Sequence, residues 1–124
     1  MASLSVRIDL KPGSRIGPGK IELLEKIAAF GSISAAGRAM NMSYRRAWEL
    51  VEELNGLFPS PLVSARTGGR HGGGTALTPL GLAVVTRYRA IEQAATEAAR
   101  LHLSALQAEL AETAPPAAAA EPRA

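Results

Sequence analysis

Arg45 and Arg46 stand side by side just after Ser43, at the start of the most strongly periodic stretch of this 124-residue chain. Ser43 is a helix N-cap type, with a hydroxyl suited to accept from a backbone amide. Tyr44, Ala47, Trp48, Val51, Leu54 and Phe58 then recur at helical spacing, while Glu49, Glu52 and Glu53 fall on other faces. The pattern predicts a helix closed by Pro59-Ser60-Pro61, with Trp48 in the core beside Val51 and Phe58. Two cations in its first turn oppose the helix dipole, at a cost of about 0.3–1 kcal/mol each. A sequence shaped by stability alone would carry acids there. Guanidinium groups in that position suit an anion, or the paired acceptors O6 and N7 of guanine. The alternative is that each arginine pairs with Glu49 or Glu52 one turn later. Tyr44 suits a phosphate contact or the core. Ser43 caps the helix and also lies where a phosphate would rest against helix amides. Ser32 and Ser34, at the start of the preceding helix, admit the same two roles.

A second candidate group is Arg66, Arg70 and His71, set in a stretch from Arg66 to Gly74 that contains five glycines. No lysine follows the glycines directly before a helix, so this is not a nucleotide-binding P-loop. The pattern fits a β-hairpin with a long mobile tip, Leu62–Ala65 and Thr75–Leu77 forming its strands and its arginines facing a phosphate backbone. Catalysis has no comparable candidates. The chain lacks cysteine, and its two histidines, His71 and His102, are far apart, so neither a metal site nor a cofactor is expected. The carboxylates are dispersed and no nucleophile is set beside a base; an enzyme is not expected. The first residues resemble no signal peptide, and no apolar run approaches the roughly 20 residues of a membrane span. A cytoplasmic protein with no membrane partner is therefore expected.

Charge is unevenly spread. Residues 1–75 carry ten Lys/Arg against six acids, and residues 76–124 carry four against five. A positive front half suits an anionic partner, and a near-neutral back half suits a protein partner.

The elements that must position these groups follow from periodicity. Leu4, Val6, Ile8 and Leu10 alternate with polar residues and predict one half-buried strand, ended by Lys11-Pro12-Gly13-Ser14. Gly17-Pro18-Gly19 opens a first helix. Its buried face is expected to hold Ile21, Leu23, Leu24, Ile27, Ala28 and Phe30, and Gly31 stops it. A short helix through Ala35–Met40 follows, with Gly37 among small residues where two helices must approach closely. Thr78-Pro79 caps a last helix that runs to about Leu110. At 1.5 Å per residue its 32 residues span about 48 Å, whereas a 75-residue core is only about 25 Å across. The helix must project. Val84, Tyr88, Ile91, Ala95, Ala98 and Leu101 form an apolar stripe along it that a second copy of the chain would bury. The alternative is that the helix bends back at Gln93–Thr96 and covers its own core.

The run Gly31-Ser32-Ile33-Ser34-Ala35-Ala36-Gly37-Arg38-Ala39-Met40-Asn41-Met42-Ser43 resembles the helix-turn-helix of LysR-type bacterial regulators. With Ser43 to Trp48, Leu54-Asn55, Pro61-Leu62-Val63, the glycine-rich stretch, Leu77-Thr78 and Gly81, residues 4–100 look closer still to the ModE family of molybdate-dependent regulators. The resemblance implies a mainly α fold with a small β-sheet, a winged helix-turn-helix with a long C-terminal dimerisation helix. The expected division is a DNA-binding domain over 1–78, a dimerisation helix over 79–112 and, from its composition alone, a disordered Ala/Pro-rich tail over 113–124. The implied function is a dimeric transcription regulator reading a pseudo-palindromic site in double-stranded DNA, in molybdenum or related oxyanion metabolism. In the family, oxyanion-binding domains follow this region. These 124 residues leave no room for them, and molybdate binding by the chain is doubtful on that ground. The residues alone leave two other readings: a helical protein-interaction module, and a small oxyanion-binding protein.

Overall fold

A computed structural model describes residues 2–69 and 72–113. Its elements are β1 (Ile8–Lys11), β2 (Ser14–Ile16), α1 (Pro18–Phe30), α2 (Ile33–Ala39), α3 (Tyr44–Asn55), β3 (Val63–Gly69), β4 (Gly72–Leu77) and α4 (Pro79–Thr113). Three short helices, two antiparallel hairpins and one long final helix make a mainly α, winged helix-turn-helix fold. The expected disordered tail, beyond Thr113, lies outside the described residues.

Pro18 occupies the first turn of α1, where its missing N–H costs no hydrogen bond. Gly31 ends the helix in the left-handed region at φ 74°, its N–H donating to the Ile27 carbonyl at 2.8 Å. Ile21, Leu23, Leu24 and Ile27 are fully buried. Ala28 and Phe30, expected on the same face, are exposed. The core is completed from α2 by Ala36, from α3 by Ala47, Leu50, Val51 and Leu54, and by Leu62, Val63 and Tyr88. Gly37 explains itself: a Cβ there would lie 3.1 Å from the Ala47 Cβ, so its hydrogen lets α2 pack directly on α3.

The anticipated N-terminal strand is divided. Only Ile8–Lys11 pairs, turning back on Ser14–Ile16 with Ile8 opposite Ile16 and a register shift between Asp9 and Lys11. Leu4 and Val6 are half-buried without strand pairing, and Leu10 is exposed. The segment before β1 is instead tied to α4, where the Tyr88 hydroxyl donates to the Val6 carbonyl at 2.6 Å and the Ala2 N–H donates to Gln107 Oε1 at 2.6 Å. α1 and α4 are joined by a two-pronged ion pair. Arg89 donates from Nε and a terminal nitrogen to Glu25 at 2.9 and 2.7 Å, and also to Glu92 at 2.7 Å. These hydrogen bonds hold the Glu25 carboxyl below the usual carboxylate range.

The α4 helix is continuous over 35 residues, about 52 Å at 1.5 Å per residue. Its first part packs on α1 and β4. Farther along, Leu101 and Leu106 are 79% and 64% exposed.

Candidate nucleic-acid interface

α2 and α3 are joined by a sharp turn in which Asn41 takes φ 58°, a left-handed conformation that asparagine tolerates better than most residues. The Met42 N–H donates to the Gly37 carbonyl at 3.0 Å and fixes the turn. Each helix is capped by the serine that the sequence singled out. Ser32 Oγ accepts from the Ala35 N–H at 2.9 Å, and Ser43 Oγ accepts from the Arg46 N–H at 3.1 Å. Ser34 accepts from Arg38 at 2.9 Å, which brings a further exposed cation onto α2. Arg38 was not marked as a candidate from the sequence. Its signal was available in the four-residue spacing from Ser34.

Ser43, Tyr44, Arg45 and Arg46 are all exposed at the start of α3. Tyr44, 56% exposed, is outside the core. Trp48 is a correction: it is 46% exposed, and the core positions on this helix are Ala47, Leu50, Val51 and Leu54. The buried face is rotated about one residue from the one centred on Trp48. The helix also ends at Asn55 rather than at Phe58, with Gly56 as its cap. Both arginines reach Glu49 at 3.5 Å, Arg45 with its side chain 87% exposed. Such exposed pairs are worth about 0–1 kcal/mol, so either guanidinium can leave Glu49 for a stronger anion at little cost.

The end of α3 is coupled to the second hairpin by one side chain. Asn55 Oδ1 accepts from the Leu62 and Val63 N–H groups at 2.8 and 3.0 Å, and its Nδ2 donates to the Val63 carbonyl at 3.2 Å. The glycine-rich stretch is less of a loop than expected. β3 and β4 pair antiparallel from Val63 opposite Leu77 to Arg66 opposite Gly74, and again at Gly69 with Gly72. The β4 strand is fastened to α1 through the Thr75 N–H, which donates to the Gly31 carbonyl at 2.9 Å. Arg66 is exposed but lies back over this junction: a Cβ built at Gly31 would sit 2.9 Å from one of its guanidinium nitrogens, and one at Gly74 3.2 Å. A cation there also complements the carbonyl end of α1. Arg70 and His71 lie outside the described residues.

The stripe assigned to α4 is brought to one helix but not to one environment. Tyr88 is 2% exposed and belongs to its own core, anchored by Val6, so it cannot face a second copy. Val84 is half-buried and packs on the same core. Ile91, Ala98 and Leu101 are exposed, and Ala95 is half-buried. Among the described residues no cluster of three or more His, Asp or Glu could hold a metal ion. No helix of the described residues is long and apolar enough to cross a membrane.

Fold and site together define a winged helix-turn-helix chain with two exposed arginines at the start of α3. The chain is homologous to the N-terminal third of the ModE regulators, at about 40% identity over about 70% of its own length. It is 42% identical over 85 residues to the molybdenum transport protein ModE of Azotobacter vinelandii, covering 68% of this chain and 32% of that protein. With the molybdenum-pterin-binding protein MopB of Rhodobacter capsulatus it shares 44% over 82 residues, 66% of this chain and 30% of the other. With the transcriptional regulator ModE of Haemophilus influenzae it shares 37% over 86 residues, 69% and 34% respectively. The matched stretch thus spans about a third of the length of these relatives. No protein-family model matches the chain. The relatives' names describe regulators, transport proteins and binding proteins rather than enzymes.

Proposed function

We propose that the chain is a DNA-binding transcription regulator that reads a pseudo-palindromic site as a homodimer. The observation that carries this reading is the pair Arg45 and Arg46, exposed in the first turn of the second helix of a helix-turn-helix. The dipole there disfavours cations, and Glu49, the one acid that pairs with them among the described residues, binds each weakly at 3.5 Å. In helix-turn-helix proteins the first turn of the recognition helix enters the major groove, where arginine can meet guanine O6 and N7 and the flanking phosphates. Ser32, Ser34, Ser43 and Tyr44 would lie along the same face, and Arg66, Arg70 and His71 would belong to the wing. Phosphate contacts would give affinity, and the start of α3 would give sequence preference.

The names of the ModE relatives support a place in molybdenum or related oxyanion metabolism. Dimerisation would use the projecting part of α4, through Ile91, Ala95, Ala98 and Leu101. A second reading, a helical protein-interaction module without DNA binding, is favoured by the exposed Leu101 and Leu106. Salt-dependent binding to duplex DNA, lost in Arg45→Ala/Arg46→Ala, supports the regulator. Partner capture by α4 with no duplex binding supports the module.

A further inference from the structure

A concavity of about 300 Å³ opens beside the start of α3 and is lined by Arg7, Arg15, Lys20 and Arg46, with Gly17 and Met42 between them. Four cations from four separate parts of the chain meet there: the segment before β1, β2, α1 and α3. Among the described residues no carboxylate lines it. The acids that balance these cations hold them from outside the lining. Asp9 takes Arg15 Nε at 2.8 Å, Glu53 takes Lys20 at 3.2 Å, and Glu49 takes Arg46 at 3.5 Å.

The placement of the cations is built rather than incidental. Lys20 is held over the hollow by the Arg15 carbonyl, to which it donates at 2.9 Å. Arg7 packs closely over Gly17 at the start of α1: a Cβ there would come 3.0 Å from Arg7 Cγ and 3.6 Å from its Nε, and the side chain would have to give way by a few tenths of an ångström. Ser32, Ser43 and Thr78 cap the other three helices, whereas Gly17 offers α1 no side-chain cap. The four cations therefore gather on one side of α3, three of them in ion pairs with acids outside the lining and Arg7 donating to Ser5 Oγ at 3.4 Å.

We infer that this basic concavity seats a backbone phosphate of the DNA that α3 addresses, just outside the groove the helix enters. Arg46 is the shared element, lining the hollow and standing in the first turn of α3. A phosphate seated there would fix the helix's depth and angle as well as add affinity. The inference rests on the DNA-binding reading.

The test is a salt series of duplex binding by the full chain, using genomic fragments it selects. It compares wild type with Arg7→Gln/Arg15→Gln, and with a control, Lys26→Gln/Arg100→Gln, that removes two charges elsewhere. The Arg7→Gln/Arg15→Gln variant should bind about tenfold more weakly at low salt, with a log–log salt slope shallower by about 0.9 per chain, while the control keeps the wild-type slope. Unchanged affinity and slope in that variant, with binding lost in Arg45→Ala/Arg46→Ala, would overturn the phosphate seat and leave the DNA reading intact. An equal loss in the control would overturn it as generic charge. Wild-type protein that binds no duplex at low salt would overturn both. Inorganic phosphate at millimolar concentration supplies the last arm. If it raises the Tm of wild type but not of Arg7→Gln/Arg15→Gln, while both bind DNA equally, the hollow takes free oxyanion and the inference fails.

Discussion

Asn55 grips Val63 from both sides, accepting from its N–H at 3.0 Å and donating to its carbonyl at 3.2 Å. One amide side chain thereby fixes the end of α3 to the first residue of β3. The angle between the proposed recognition helix and the wing depends on it. Asn55→Ala leaves the Leu62 and Val63 amides without this acceptor beside buried side chains. The expected cost is about 2–3 kcal/mol, read as a lower urea midpoint at unchanged slope. Asn55→Asp keeps the acceptor oxygen and should lose less.

Gly81 is where α4 crosses the chain before β3. A Cβ there would come 2.2 Å from the Leu62 carbonyl oxygen, which is backbone and cannot rotate away. The same carbonyl accepts from the Thr78 N–H at 2.9 Å. Gly81→Ala should therefore destabilise by about 3 kcal/mol, seen as a lowered Tm in a thermal melt.

The Glu25–Arg89 pair makes part of the stability pH-dependent. Glu25 titrates lower in the folded chain, chiefly through its hydrogen bonds to Arg89. Its contribution is therefore fully present above the unfolded-state value, near 4.5, and is lost as pH falls through the folded one. The pair is over a third exposed, so its contribution is about 0.5–1 kcal/mol. Glu25→Gln should lower Tm slightly at pH 7, and the difference from wild type should shrink as the pH falls below the ordinary carboxylate range. A difference that persists undiminished at pH 3 would show that packing, not charge, is responsible.

Much of this architecture is legible in the sequence because it rests on local signals. Pro18, Gly31, Ser32, Ser43 and Thr78 mark helix ends by their own chemistry, and Gly37 is explained by contact with Ala47. Long-range choices were not legible. Trp48 fits the helical period as well as Leu50 does, and only the position of α1 and α2 decides which side of α3 is covered. The segment before β1 alternates well enough for a longer strand, yet the chain ties it to α4 through Val6 and Tyr88 instead. Tyr88 for the same reason leaves the stripe expected to face a second copy. The basic hollow joins Arg7, Arg15, Lys20 and Arg46 from distant parts of the sequence, and no spacing rule links them.

The projecting part of α4 carries a separate expectation. Leu101 and Leu106 are largely exposed in the single chain, a liability unless another surface covers them. Light scattering at micromolar concentration should report a dimer of the 12.9 kDa chain. Leu101→Glu/Leu106→Glu should give a monomer whose short-helix core is intact, with DNA binding weakened because two half-sites are no longer bound together.

Recognition of duplex DNA by the start of α3 is the central claim, and selection of bound genomic fragments in parallel with wild type and Arg45→Ala/Arg46→Ala tests it most directly. Wild type should enrich fragments sharing an inverted repeat, with affinity falling steeply as salt rises. The variant, whose melting temperature should be no lower because the pair opposes the helix dipole, should enrich none. Wild type that enriches no common sequence at low salt, or a variant that enriches the same repeat as well as wild type does, would contradict the claim.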